Sequence, residues 1–183
     1  TQPGATTTYT YINDGGFLGP AGRYSFARVR DLRPQCFDMG LGAGAVDASG
    51  NPDGLVMAVN GDPAPGEFYR QTATGLIIGQ EYEFSVWIAN ANGVVCGVAT
   101  PGNSPDVTLR VETLGNVPLA TINTGPILYQ GVWRRWNVKF VAQHTSVNYF
   151  ARNNSPVVGG NDVLVDRIAF SRVSRQDITF TPR

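Results

Sequence analysis

The sequence predicts an all-β protein, a two-sheet antiparallel sandwich, and three observations carry that prediction. Short runs of β-branched and aromatic residues alternate apolar with polar positions at period 2. Gly 22 and Pro 12 among 183 residues exceed ordinary usage and punctuate those runs. Apolar residues nowhere recur at helical spacing over a length that would make a stable helix. Composition does not break along residues 1–183, so one domain with a full core is expected.

The elements follow in order. Thr6 to Asn13, TTTYTYIN, favours a strand and ends at the turn signal Asp14-Gly15-Gly16. From Phe17 to Pro52 the pattern weakens: Tyr24 to Val29 reads as a short strand, and Gly40 to Gly54 as a glycine-rich loop expected to be mobile. Leu55 to Asn60, bounded by Gly54 and Gly61, reads as a buried strand. Glu67 to Thr74 and the run through Asn90 are expected to pair as a hairpin through Gly75 to Gln80. In the second of these, Tyr82, Phe84, Val86 and Ile88 face inward while Glu83, Ser85 and Trp87 face outward.

Ala91 to Pro105 reads as a long loop. Asp106 to Thr113 then turns Val107, Leu109 and Val111 inward, and Val117 to Thr124 partners it through Leu114-Gly115-Asn116. Val132 to Ala142 sets Trp136, Val138 and Phe140 against Trp133, Arg135, Asn137 and Lys139. Thr145 to Asn153 sets Val147, Tyr149 and Ala151 against Asn148, Phe150 and Arg152. Asp162 to Val173 places Leu164, Asp166, Ile168 and Phe170 on one side, and Asp177 to Thr181 offers a short edge strand. About ten strands with turns of this kind make a jelly-roll sandwich.

Lys+Arg 14 balance Asp+Glu 14, which leaves no field to attract nucleic acid or an anionic membrane surface. All the basic residues but Lys139 are arginine, a bias that base composition explains as readily as recognition of carboxylate, sulfate or stacked rings. No apolar run approaches the ~18 residues of a membrane span, so membrane insertion is not expected. Thr1 does not open a signal peptide, and a chain without an initiator Met reads as mature or trimmed, compatible with export. Cys36 and Cys96 are either a disulfide, worth about 3–4 kcal/mol on the chain-entropy account, or two separate thiols.

The segments GEFYRQTATGLIIGQEYEFSVWIAN, DVTLRVETLGNVPLATINTGPI, GVWRRWNVKFVA and GNDVLVDRIAF, in that order, resemble a bacterial extracellular jelly-roll domain similar to carbohydrate-binding modules. Such domains recur in adhesin-like and gliding-associated surface proteins. The likeness covers about Asn51 to Ser171, and its most specific part is the GND-x-x-x-D-x-I-x-F ending. It implies a cell-surface binding module rather than a catalyst, with a structural calcium near the first and last strands. One departure is plain: the family often ends in two adjacent acids, where this chain has Asp166 and then Arg167.

Asp166 shares parity with Leu164, Ile168 and Phe170, so its carboxylate is expected to face inward, where it must be neutralised. Calcium would take oxygens from Asp166, from Asp162 on the same face and from Asp14 in the Asn13 to Gly16 turn. The alternative is that Asp166 accepts backbone N–H bonds or pairs with an arginine. The candidate ligand face carries Trp87, Glu83, Arg110, Glu112 and Arg152, with Phe150 beside it and Arg70 of unsettled facing. An exposed Trp covers the apolar face of a pyranose while charged groups bind its hydroxyls or an acidic substituent. The same residues also suit a Trp packed under a loop and arginines paired with Glu83 and Glu112 across strands.

No enzymatic pattern stands out. His144 sits alone in a polar turn with no visible nucleophile, and Glu81 and Glu83, though on one face, lack the paired arrangement of a glycosidase. The reading is a non-catalytic extracellular recognition or adhesion module for a glycan or polysaccharide. The rival is a self-associating subunit of a surface layer or filament, motivated by the β-prone ends TTTYTYI and DITFTP.

Overall fold

The computed structural model describes residues 4–13, 21–32, 45–91, 104–128, 131–156 and 160–174. Cys36, Cys96, Asp14 and the run from Asp177 to Thr181 lie outside the described residues. Ten strands occur in this order: β1 (Thr10–Tyr11), β2 (Arg23–Arg28), β3 (Leu55–Asn60), β4 (Gly66–Thr74), β5 (Glu81–Asn90), β6 (Val107–Glu112), β7 (Pro118–Asn123), β8 (Arg134–Val141), β9 (Ser146–Asn153) and β10 (Val163–Arg172). They form two stacked sheets, one ordered β1-β2-β3-β10-β5-β8 and the other β4-β9-β6-β7. The all-β, two-sheet jelly-roll reading therefore holds.

Period-2 alternation explains the core. Tyr82, Phe84, Val86 and Ile88 of β5 meet Val107, Leu109 and Val111 of β6 and Val147, Tyr149 and Ala151 of β9 in one buried cluster between the sheets. Aromatic rings fill its centre: Tyr149 stacks on Phe170 at 4.7 Å and lies 4.9 Å from Phe84. A second, smaller cluster sits on the outer side of the six-stranded sheet. Ala27, Val56, Ala58, Ala89 and Leu164 build it, joined by Val29 and Leu32 and flanked by Ala45 and Trp133.

Two expectations are corrected. β4 and β5 are not a hairpin: they belong to opposite sheets, and residues 75–80 carry the chain across the end of the sandwich. Gly75 and Gly79 take φ of 74° and 84°, Leu76 plugs the core at 5% exposure, and the crossing is tied to the β8–β9 turn by Leu76 N–H to Thr145 O and Gly79 N–H to Ala142 O. Loop glycines fit an arch as well as a tight turn, so sequence spacing did not separate the two. The second correction concerns Asp166. β10 changes register between Asp166 and Ala169, with Arg167 at φ 48°, and this bulge reverses the parity of everything after it. Ile168 and Phe170 pack on the inter-sheet core, but Leu164 and Asp166 face the other way, onto the outside of the six-stranded sheet.

The amino-terminal run is committed to the chain's own sheets. Thr6 and Thr8 bond to β4 through Arg70 O and Glu67 O, while Thr10 and Ile12 bond to Gly22 O and Tyr24 O beside β2. This removes the described part of TTTYTYI as a free strand for subunit assembly.

Candidate functional site

The ligand face expected from the sequence is split between the two opposite outer surfaces of the sandwich. Trp87 and Glu83 lie outside the six-stranded sheet; Arg70, Arg110, Glu112, Phe150 and Arg152 lie outside the four-stranded one. Alternation fixes whether a side chain points in or out but does not say which of two sheets a strand joins.

On the six-stranded side, β5 lies between β8 and β10, which puts Trp87 opposite Arg135 on one flank and Asp166 on the other. Trp87 is half-buried and packs against neither apolar cluster, whereas Trp136 belongs to the periphery of the main core and Trp133 to that of the smaller one. Glu83, two outward positions away, accepts a hydrogen bond from Arg135 Nη2 and another from Asn137 Nδ2 at 2.7 Å, with Lys139 Nζ at 3.9 Å. Its side chain is 13% exposed, so these partners fix its position. Arg135 and Asn137 were legible as outward residues, but their meeting with Glu83 depends on a strand pairing that the sequence does not disclose.

Residues 45–54 rise beside this strip. Trp133 Nε1 donates to Val46 O at 2.7 Å, and Ala48 N–H donates to Asp166 Oδ2 at 3.2 Å. The described part of the loop expected to be mobile is therefore tied down beside the strip, and at its far end by Val29 N–H to Gly54 O, Arg30 N–H to Pro52 O and the Arg30–Asp53 ion pair, with Trp133 packed beneath it. Asp47 turns the loop by accepting from Ser49 N, Ser49 Oγ and Asn51 N. Burial is the largest single influence on the Asp47 carboxyl and raises it, but the hydrogen bonds from Ser49 and Asn51 and the Arg167 charge together outweigh it and leave the group below its usual range.

Asp162 and Asp166, the two described residues of the expected calcium set, do not converge on one ion. Asp166 Oδ1 accepts from Arg167 N at 2.7 Å and Oδ2 from Ala48 N, with the Arg167 guanidinium 4.0 Å away, which is the N–H and arginine alternative. Asp162 stands four residues along the same strand, about 13 Å at the rise of a β-strand, whereas calcium ligands must converge to within about 2.5 Å of the ion. Asp162 is instead 8% exposed and accepts from Gly61 N at 2.9 Å. Burial pushes its carboxyl up to about 6, and the Gly61 N–H only partly counters that.

On the four-stranded side, Phe150 of β9 pairs with Arg70 of β4 and Arg110 of β6. Both guanidinium carbons lie over its ring, at 5.2 and 5.6 Å from the centroid, and the ring is only 2% exposed. Phe150 thus offers no face to a sugar. Arg70 bonds Glu67 through Nη1 at 3.1 Å and Glu112 and Asn116 through Nη2 at 2.5 and 3.1 Å. Burial opposes its charge, but the hydrogen bonds and fields of Glu112 and Glu67 more than offset this and hold it firmly protonated.

A cleft of about 300 Å³ opens at one side of the sandwich, lined by Phe26, Met57, Phe68 and Tyr69 together with Asp166 and Arg167 of the β10 bulge. Sequence reasoning missed it, because it arises where the two sheets part rather than from any local pattern. His144 lies at the far end of the molecule beside Ile78 and Leu114, with no acidic or nucleophilic constellation among the described residues that line that surface.

No protein-family model and no curated protein matches the sequence. Solved structures with a similar fold include a cyclase from Fischerella sp. TAU in complex with 4-(1H-indol-3-yl)butan-2-one, at 16% identity and TM-score 0.60, covering 96% of this chain and 88% of that one. The sugar-binding EclA C-terminal domain is 22% identical at TM-score 0.44, over 57% of this chain and 66% of that one. A Clostridium thermocellum xylanase fragment with CBM22-1 and GH10 modules, complexed with xylohexaose, is 19% identical at TM-score 0.45, over 76% of this chain and 25% of that one. At 16% identity the likeness to the cyclase is one of fold alone.

Proposed function

We propose that the chain is a non-catalytic extracellular recognition module that binds a glycan across the Trp87 strip of the six-stranded sheet. One observation carries the reading: among the three tryptophans, Trp87 alone packs against neither apolar cluster, and it stands beside a fixed carboxylate and two fixed donors, Glu83, Arg135 and Asn137. The indole supplies a flat apolar surface for one side of a sugar ring. Glu83 accepts from a hydroxyl, while Arg135 and Asn137 donate, all from positions already ordered before binding. Asp166, held by Ala48 N–H, bounds the strip on one side.

A glycan array with the purified chain and its Trp87→Ala variant tests this. Retention of one or more glycans by the parent chain is expected, with loss in Trp87→Ala and a melting temperature close to the parent's. Equal retention by both proteins, or no retention by the parent, overturns the assignment.

A second reading is favoured by the 300 Å³ cleft, whose size and aromatic lining suit a small apolar ring compound. The Fischerella cyclase was solved with an indole derivative, which makes indole and naphthalene derivatives sensible probes. Saturable binding that Met57→Trp abolishes, with Trp87→Ala neutral, would move the function from the strip to the cleft.

A further inference from the structure

The four-stranded sheet carries a second arrangement that the glycan strip does not use. Phe150 orders two guanidinium groups, but the acids around it neutralise only one of them. Glu67 and Glu112 are both bound by Arg70. Arg110, on the other side of the same ring, has no acidic or carbonyl partner among the described residues, and its Nε is enclosed without a hydrogen bond. Its terminal nitrogens are not among the enclosed atoms.

Arg152 lies diagonally beside Arg110. Arg110 pairs with Phe150 and Thr108 with Arg152, so the two arginines occupy adjacent outward rows of neighbouring strands, within reach of one another's side chains. Arg152 bonds only the neutral Asn154 amide, Nε to Oδ1 at 3.2 Å, and has no carboxylate within ion-pair distance among the described residues. Asn154 is itself held by Asp106 and Thr108 through Nδ2, at 3.0 and 2.8 Å. The adjoining outward positions on β7 are Thr121, opposite Arg110, and Asn123, opposite Thr108, both exposed hydroxyl or amide groups.

A surface arginine is ordinarily ordered by the carboxylate that neutralises it. Here one is ordered by an aromatic ring and the other by an amide, which leaves both charges fixed and unspent. We propose that Arg110 and Arg152 form a subsite for an oxyanion, the carboxylate of a uronic acid or a sulfate ester, on the face opposite Trp87. A guanidinium fork suits either group, because it presents paired N–H donors to two oxygens at once. Ordering by Phe150 and Asn154 removes much of the entropic cost of engaging them. The net charge of the whole chain is zero, so a general attraction to polyanions is not what this subsite would express.

Titration calorimetry of the full chain with polygalacturonate, dextran sulfate, neutral dextran and free sodium sulfate tests the assignment and separates the sources. Binding to polygalacturonate or dextran sulfate, none to neutral dextran, and weakening with added salt are expected. Arg110→Gln and Arg152→Gln should each weaken binding at least about tenfold, whereas Arg28→Gln, which removes the same charge from an exposed position on β2, should leave it unchanged. Arg110→Lys, which keeps charge and stem but loses the fork, should fall between parent and Gln variant. Melting temperatures of all variants guard against misfolding, and Arg152→Gln, which leaves the Phe150 stack intact, carries the test if Arg110→Gln is unstable. Polyanion binding that Arg152→Gln leaves intact, or equal loss in Arg28→Gln, or no polyanion binding by the parent, overturns the subsite. The losses in Arg110→Gln and Arg152→Gln do not depend on whether Trp87 binds a neutral glycan, and any dextran binding that Trp87→Ala removes belongs to the other face.

Discussion

The two outer surfaces of the sandwich are built on opposite plans. On the six-stranded sheet, small apolar residues on β2, β3 and β10 call for a cover, and residues 45–54 with Trp133 provide it, while Trp87 packs outside that cluster. On the four-stranded sheet the cover is made by the strands' own side chains: Arg70 and Arg110 lie over Phe150, and Arg70 is held there by Glu67, Glu112 and Asn116. Where apolar outward residues are small, a loop must come from elsewhere in the chain; where they are large and aromatic, long cationic side chains suffice, since their stems and planar heads bury as much surface as they expose charge.

Phe150→Ala should produce the largest effect, because it deletes a fully covered ring and leaves both guanidinium groups without the surface they rest on. A loss of about 3–4 kcal/mol in chemical denaturation is expected. A loss under about 1 kcal/mol would mean that the two faces are not built differently after all.

Next comes Asp162, an acid buried at the start of β10. Its carboxyl is raised in the folded chain to about 6 from an ordinary 3.8, so the fold holds an extra proton between those values. The resulting stabilisation is complete below about pH 4 and disappears as the pH rises through about 6. Asp162→Asn, which keeps an oxygen for Gly61 N–H, should raise stability at pH 7 by about 2 kcal/mol and flatten the rise in melting temperature between pH 7 and pH 5. A variant as pH-dependent as its parent would show that Asp162 is not the group responsible.

Trp133→Phe removes the bond to Val46 O while keeping the ring's bulk under the loop. About 1 kcal/mol should be lost, with faster amide exchange confined to residues 45–54. Global loss of protection would instead make the loop part of the cooperative core. Trp87→Ala, touching neither cluster, should cost the least, under about 1 kcal/mol; a larger loss would assign Trp87 to the covered half of its face.

Much of this was legible in advance, and the failures share one cause. Leu55 to Asn60 and Glu81 to Asn90 fall where alternation and flanking glycines put their strands, and the inward sets of β5, β6, β8 and β9 are those of the core. Alternation is a local rule, and each error came from carrying it beyond its range. It grouped Trp87 with Arg110, which share an outward sense but not a sheet. It ran through Arg167, where a single extra residue exchanges inside for outside, and so sent the Asp166 carboxylate the wrong way. It joined β4 to β5 as neighbours because a glycine loop lay between them. The cover formed by residues 45–54 left no such signal, since its anchors, among them the Trp133 indole N–H and the Asp166 carboxylate, come from positions far apart in sequence.

The opening segment of the chain has a mechanical consequence. Within a few residues it bonds first to β4 in one sheet and then to β2 in the other, through Arg70 O, Glu67 O, Gly22 O and Tyr24 O. Tension arriving from the Thr1 side is therefore shared between both layers rather than peeling one of them, and the seam between the sheets resists parting along the border where that segment runs.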